Sequence, residues 1–501
     1  MKKLLYMFLA VSLLLFPFLI SCTSAPPTVA SRPQTTETQS ADSQPVTVVK
    51  PAEKLEEISF KPLEFNPPIP VKHTLSNGMT VYLLEDNELP LFHVYALVKT
   101  GSIYEPEEKI GLSSIFATVM RTGGTTSRAP EVLNETLESL AASVEIGMSA
   151  EYATAFLSCL SDDTEVGLEI FADILMHPAF REDKLALRKL QVIEGIRRRN
   201  DNPVGIAQRY FAVEAYGLHH PMGWYPTEET VQNIRQADLK AFYERYFKPN
   251  NIMLAVTGDF KSARLLEQLE NLFAAWKPGK VEMPATPQVE ENKNGVVGYV
   301  FKDLSQSTIL IGHLGLKRAP DNQDYFPLTV MNEILGASSF TSRLFREVRD
   351  KRGLAYSTGT VMNSSLYENP GVWFAYSLTR NDKTGEAVSV ILDEINKIRM
   401  EPVGEDELNL IKEHIINSFI FGFESGSQVV FQQMMLDYRG YPQDYLANYT
   451  RKMAGVSSSD VLKAAQKYLH PDKLIIMVVG KAETFDKALS NFGRVKEIIP
   501  D

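Results

Sequence analysis

Residues 234–259 read IRQADLKAFYERYFKPNNIMLAVTGD, and residues 456–481 read VSSSDVLKAAQKYLHPDKLIIMVVGK. Asp238 falls on Asp460, Tyr246 on Tyr468, Pro249 on Pro471 and Gly258 on Gly480, all at an offset of 222 residues. In each copy a helical stretch gives way to a loop with proline, then to an apolar run that ends in glycine. Such a run, bounded by turn residues, reads as a strand. Two matched endings of this length indicate one unit written twice, in halves of about 220 residues. The segment rich in Pro, Lys and Glu at 277–294 reads as the linker between them. Two similar lobes joined in this way are expected to enclose a cleft.

Outward from the repeat, strands and helices alternate from about residue 70. Ser76-Asn77-Gly78-Met79 is an Asn-Gly hairpin signal between strands at 71–75 and 80–84, and 92–100 reads as a further strand. Leu112, Ile115, Phe116, Val119 and Met120 recur at i, i+3, i+4, i+7 and i+8, which predicts a helix over 111–122. Further helices are expected at 130–143, 163–176, 182–199 and 203–216. Paired strands mixed with several helices give an α+β fold rather than a doubly wound sheet. The expected organisation is two homologous α+β domains, 63–276 and 295–501, around the 277–294 linker.

The 501 residues are 44% hydrophobic and 23% charged, an ordinary globular composition. Fifty-one basic against 62 acidic residues leave a net charge of −11, which argues against a broad nucleic-acid surface; no nucleic-acid partner is expected. Two cysteines, Cys22 and Cys159, exclude a disulfide scaffold and a Cys-rich metal cluster. Cys159 lies in the strand-like run 152–160 and reads as a buried, inert thiol. No G-x-S-x-G elbow, P-loop or strand-linked G-x-G-x-x-G occurs.

Residues 1–22 have the plan of a secretory signal, with Lys2 and Lys3 ahead of the apolar stretch 4–20. Leu19-Ile20-Ser21-Cys22 resembles the bacterial lipoprotein signal, in which Cys22 is lipidated and becomes the new N-terminus. Residues 23–62, rich in Ser, Thr and Pro, then form a disordered tether with a reach of roughly 30 Å. The expectation is a body lipid-anchored to the membrane and facing the periplasm. The outer membrane is preferred, because Thr23 rather than an aspartate follows the cysteine.

Three stretches carry a family resemblance: LSNGMTVYLLEDNELP at 75–90, YFKPNNIMLAVTGD at 246–259 and SRLFREVRDKRGLAYS at 342–357. From about residue 70 to 490 the chain resembles the pitrilysin/insulinase (inverzincin) zinc peptidases, in their two-domain, mitochondrial-processing-peptidase-like bacterial branch. The resemblance implies two α+β domains forming half of a clamshell around a peptide chamber. Active members carry H-x-x-E-H on the first long helix, where two imidazoles one turn apart hold zinc and the glutamate acts as general base. A ligand glutamate follows about 77 residues later. Here the matching helix reads GLSSIFATVMRTGG at 111–124, so Ser114 and Thr118 stand at the histidine positions, Ala117 at the base and Gly195 at the distal glutamate.

The zinc motif is therefore lost. Hydroxyls are poor zinc ligands and a methyl accepts no proton. Independently of the resemblance, none of the eight histidines (73, 93, 177, 219, 220, 313, 414 and 470) forms an i, i+4 pair. Glu194 lies about 100° around the helix from Gly195 and is a poor substitute. His219-His220 reads as a pair of loop contacts, and Arg197-Arg198-Arg199 as a helix C-terminal feature, with an electropositive chamber lining as the alternative.

In active members an arginine and a tyrosine seven residues apart in the C-terminal domain face the zinc, and Arg349 and Tyr356 match that spacing. The resemblance gives the tyrosine hydroxyl to the oxyanion and the arginine to a substrate carbonyl. The segment 335–340, which precedes the matched helix, is not glycine-rich, unlike the substrate-binding loop of the metal-free subunit of mitochondrial processing peptidase. The implied function is the non-zinc subunit of a heterodimeric metallopeptidase that hydrolyses peptides. No cofactor is expected in this chain, and zinc is expected in a homologous partner that bears the intact motif. The alternative is a lipid-anchored peptide-binding or scaffolding pseudopeptidase with no catalytic role.

Overall fold

The computed structural model describes residues 67–289, 295–363 and 369–501. The leader, Cys22, the expected 23–62 tether and residues 63–66 lie outside the described residues. At the Asn-Gly turn Gly78 takes a φ of 86° and donates its N–H to Leu75 O at 2.9 Å. The chain thereby doubles back, with β1 (Val71–Thr74) antiparallel to β2 (Thr80–Glu85).

The first sheet adds β3 (Leu91–Val98), β4 (Ser143–Met148), β5 (Ala153–Leu160) and β6 (Ile252–Gly258), in the order β1-β2-β6-β3-β5-β4. The second contains β7 (Val296–Phe301), β8 (Gln306–Leu314), β9 (Ala355–Met362), β10 (Val372–Arg380), β11 (Ile475–Gly480) and β12 (Val495–Glu497), in the order β12-β7-β11-β8-β10-β9. β6 runs parallel to β2 and antiparallel to β3; β11 runs parallel to β7 and antiparallel to β8. The repeated sequence is thus the third strand of each sheet with the helix before it, Gln236–Tyr246 or Ser458–Tyr468. The copies part at one edge. β1 is an antiparallel hairpin arm, whereas β12 arrives from the end of the chain and lies parallel to β7.

Every residue of β6 and β11 is buried, which explains why their sequences are apolar without alternation. One face of the first sheet packs on helices Leu112–Thr122, Thr164–Met176 and Ser262–Phe273, with Phe116 against Phe180, Phe242 and Phe247. One face of the second sheet packs on helices Tyr325–Asn332, Thr384–Met400 and Ser458–Tyr468. The other two faces are covered by exchange. Helix Pro203–Tyr216 lays Ile206, Tyr210, Phe211 and Tyr216 on Leu310, Ile475, Met477 and Val479 of the second sheet. Helix Gly426–Tyr438 lays Val430, Met434 and Met435 on Tyr82, Leu97, Met253 and Ala255 of the first. Each fully buried side chain of this size contributes about 1.5–3 kcal/mol, so the exchange ties the halves together firmly.

The expected α+β class and the paired halves are those observed. The helix expected at 130–143 is shorter, Pro130–Ser139, and 143–148 is strand β4. Ala141 at φ 48° breaks the helix, and pairing with β5 then turns Val144 into the core. Residues 277–289 form no helix or strand; Asn250 grips them through both bonds to Gly279, each 2.9 Å. Among the described residues, no helix is long and apolar enough to cross a membrane.

Candidate functional site

Helix Leu112–Thr122, which carries the motif positions expected from the resemblance, packs against helix Glu182–Arg198. Ser114 is exposed, Thr118 half-buried, and Ala117 buried in the core. The Thr118 hydroxyl donates to Ser114 O at 3.0 Å, so it is spent on its own helix. Gly195 faces open space: a Cβ added there would meet no atom within 4 Å. Glu194 pairs with Arg198 at 2.8 Å on the exposed side. Neither the hydroxyls nor the glycine can hold zinc. Among the described residues no group of three His, Cys, Asp or Glu is placed to hold a metal ion. The arrangement does not fit a catalytic metal. Arg188, which sequence reasoning passed over, reaches this place and donates from Nη2 to Ser114 Oγ at 3.4 Å. Its signal was available, because a residue seven before Gly195 lies within about 20° of the same helix face.

Arg349 and Tyr356 are brought together. Arg349 lies in the π-helical turn Phe345–Asp350, and Tyr356 stands near the start of β9. The guanidinium lies 4.4 Å from the Tyr356 ring centroid and 4.6 Å from that of Phe345. Five basic residues occupy 342–357. Arg343 and Arg346 bind Glu407 at 2.6 and 3.1 Å; Lys351 and Arg352 bind Glu347, Lys351 at 2.6 Å. Those two partners, through hydrogen bonds and charge, hold the Glu347 carboxyl down to about 2. Arg349 is the exception, with no carboxylate partner among the described residues. Its planar fork is fixed by ring faces, which leaves the N–H edge for a ligand.

Tyr356 is 74% exposed and so does not pack as an ordinary strand residue. The stack continues outward, since Phe340, 67% exposed, meets the Phe345 ring edge-on at 5.0 Å. An exposed phenylalanine in a loop carries no sequence signal until its neighbour in space is known. Among the described residues no hydrogen bond or ring contact joins Arg349 and Tyr356 to the Ser114 and Arg188 group, which stands on the other half.

The remaining candidates have structural partners. Cys159 is buried in β5, and burial together with the nearby Asp163 charge pushes its thiol up to about 11, far from a reactive thiolate. His220 is a loop contact. Its Nδ1 accepts from the Met222 N–H, its Nε2 meets Asn369 Oδ1 (both 3.1 Å), and its ring stacks on Tyr216. Arg197, Arg198 and Arg199 pair with Glu228, Glu194 and Asp501, so their charges are largely compensated.

Comparison with known proteins agrees with this architecture. Residues 81–221 match the family model described as insulinase (peptidase family M16), and residues 233–415 match the model described as the peptidase M16 inactive domain. The Helicobacter pylori zinc protease PqqE is 25% identical over 408 residues, 79% of this chain and 89% of that one. The non-peptidase homolog YmxG of the same bacterium is 24% identical over 389 residues, 76% of this chain and 87% of that one. A crystal structure described as a peptidase M16 inactive domain from Pseudomonas fluorescens superposes with a TM-score of 0.75 at 25% identity. It covers 84% of this chain and 99% of that one. With two models of one family matched in order along the chain, over residues 81–221 and 233–415, this chain belongs to the insulinase, or M16, peptidase family.

Proposed function

We propose that this chain is the non-zinc subunit of a heterodimeric metallopeptidase that hydrolyses peptides in the periplasm. A homologous partner with an intact H-x-x-E-H supplies the zinc, its water and the general base. This chain contributes Arg349 and Tyr356 across a shared clamshell chamber, with the tyrosine hydroxyl donating to the oxyanion and the guanidinium holding a substrate carbonyl. Lipidation at Cys22 anchors it to the membrane, the outer membrane by preference.

The observation that carries the proposal is the state of Arg349. It is ring-clamped beside an exposed tyrosine and lacks a carboxylate partner among the described residues, while its four basic neighbours are all paired. Among the described residues β9 is moreover an edge strand, paired with β10 alone, so a peptide laid along it as a further strand would pass Tyr356. That a single bacterium carries relatives named both zinc protease and non-peptidase homolog supports a division of labour.

The test is co-expression with the nearest zinc-motif relative from the same genome, assayed on a quenched peptide with each subunit also measured alone. Activity is expected only in the mixture, and Arg349→Ala or Tyr356→Phe should lower it by about tenfold or more. No complex, or full activity in both variants, would overturn the proposal and leave a lipid-anchored peptide-binding protein.

A further inference from the structure

Beyond the missing ligands, the interhelical site carries a charge of the wrong sign for a metal. Arg188 rises from helix Glu182–Arg198 on nearly the same face as Gly195, and its Nη2 reaches Ser114, the first vacated histidine position. The Arg188 Nε is fully shielded and has no hydrogen-bond partner. No ion pair holds Arg188 among the described residues, and burial disfavours its charge. Glu194 pairs with Arg198 at 2.8 Å and Glu131 with Lys184 at 3.1 Å, so neither is paired with Arg188. A second guanidinium lies on the facing helix. Arg121, three residues past Thr118, donates to Val144 O and Asn134 Oδ1, with Glu145 as partial counter-charge.

We propose that the Arg188 guanidinium is a fixed resident cation in the place a metal would take, so that this site excludes zinc independently of its missing ligands. An arginine stays protonated at every working pH, so the exclusion is permanent rather than switchable. Like charges held in a partly desolvated site repel far more strongly than in water. The inference concerns the N-terminal helices and does not depend on Arg349, Tyr356 or a partner subunit, so it can fail without the proposed function failing.

The test rebuilds the ligands in the full-length chain as Ser114→His, Thr118→His and Gly195→Glu. These positions are exposed, half-buried and open, so the fold should tolerate them. One version keeps Arg188 and the other adds Arg188→Leu. Zinc is measured by elemental analysis after dialysis, and Co²⁺ spectra report tetrahedral coordination. The expectation is roughly one zinc per chain in the version that carries Arg188→Leu, and at least about a hundredfold weaker binding with Arg188 kept. A matching rise in melting temperature with zinc should appear only in the Arg188→Leu version. Equal zinc affinity in both versions would overturn the inference, and so would two folded versions that both fail to bind. Should the triple substitution not fold, the pair Ser114→His and Gly195→Glu, with and without Arg188→Leu, is compared by Co²⁺ affinity on the same criterion.

Discussion

Between two rings, a guanidinium is held still without losing its hydrogen-bonding edge, and Arg349 is in that state. Lysine keeps the charge but not the planar stack, so in the two-subunit assay Arg349→Lys should stay within a few-fold of Arg349→Ala. Tyr356→Phe removes only an exposed hydroxyl. It should change stability by less than about 0.5 kcal/mol in urea unfolding, which separates a loss of activity from a loss of fold. His313 gives a pH dependence. Its Nδ1–H donates to Leu314 O at 2.7 Å and its Nε2 accepts the His470 N–H at 3.1 Å, so only the neutral ring fits. Burial, with smaller contributions from His470 and Lys473 and opposed by the Leu314 carbonyl and Asp472, pushes it down to about 4. The unfolded chain takes up this proton near 6.5 and the folded chain does not until about 4. The associated stability is therefore present above pH 6.5 and lost as pH falls toward 4, by up to a few kcal/mol. Urea midpoints at about pH 7 and about pH 4.5 should differ accordingly, and His313→Asn should flatten the slope.

Two π-helical turns, Glu333–Ala337 and Phe345–Asp350, bracket the loop that carries Phe340 and seat the strand that carries Tyr356. Such turns are frequent at functional sites. Gly336 lets the first turn approach β9 closely, since a Cβ there would lie 2.6 Å from Thr360 N. Gly336→Ala should therefore cost about 1–3 kcal/mol in stability and reduce paired activity through displacement of β9. Glu333 in the same turn is pushed up by burial to about 7. Here the folded chain binds the proton more tightly than the unfolded one, whose carboxyl titrates near about 4.3. Stability from this group is present below that value and lost as pH rises through about 7, opposite in sign to His313. Glu333→Gln should accordingly raise the melting temperature at about pH 8 by several degrees relative to the natural chain, with less effect at about pH 4.5.

The described residues form one compact unit, and the exchanged helices explain why two homologous halves do not behave as two bodies. Polar ties reinforce the exchange: Lys72 and Tyr82 both reach Asp437 at 2.8 Å, and Tyr438 donates to Glu151 O at 3.0 Å. Calorimetry should therefore show a single unfolding transition for this body. Met434→Ala, at a fully buried position, should lower its stability by about 2–5 kcal/mol even though Met434 packs on the sheet of the other half. The fragment 63–276 lacks helix Gly426–Tyr438 and would expose Tyr82, Leu97, Met253 and Ala255, so it should aggregate when expressed alone.

The α+β class and the repeat were legible in the sequence because each rests on local information, and so does the reading of residues 114, 117, 118 and 195. Periodicity and turn residues set the elements, and hydroxyls at 114 and 118, a methyl at 117 and a glycine at 195 are poor material for a zinc site with a general base in any fold. Helix 130–143 was overextended because the positive φ of Ala141 depends on the pairing of β4 with β5, which lies further along the chain. Which helix covers which sheet was hidden, since an amphipathic stripe shows that a face is buried but not against what. Lys351 and Arg352 reach Glu347 from only four and five residues away, whereas the pairing of Arg343 and Arg346 with Glu407 and the reach of Arg188 to Ser114 were decided only by the tertiary structure. Charge pairing and ring stacking act over a few ångströms in space, and sequence separations of about 60 residues or more do not reveal which groups will share that distance.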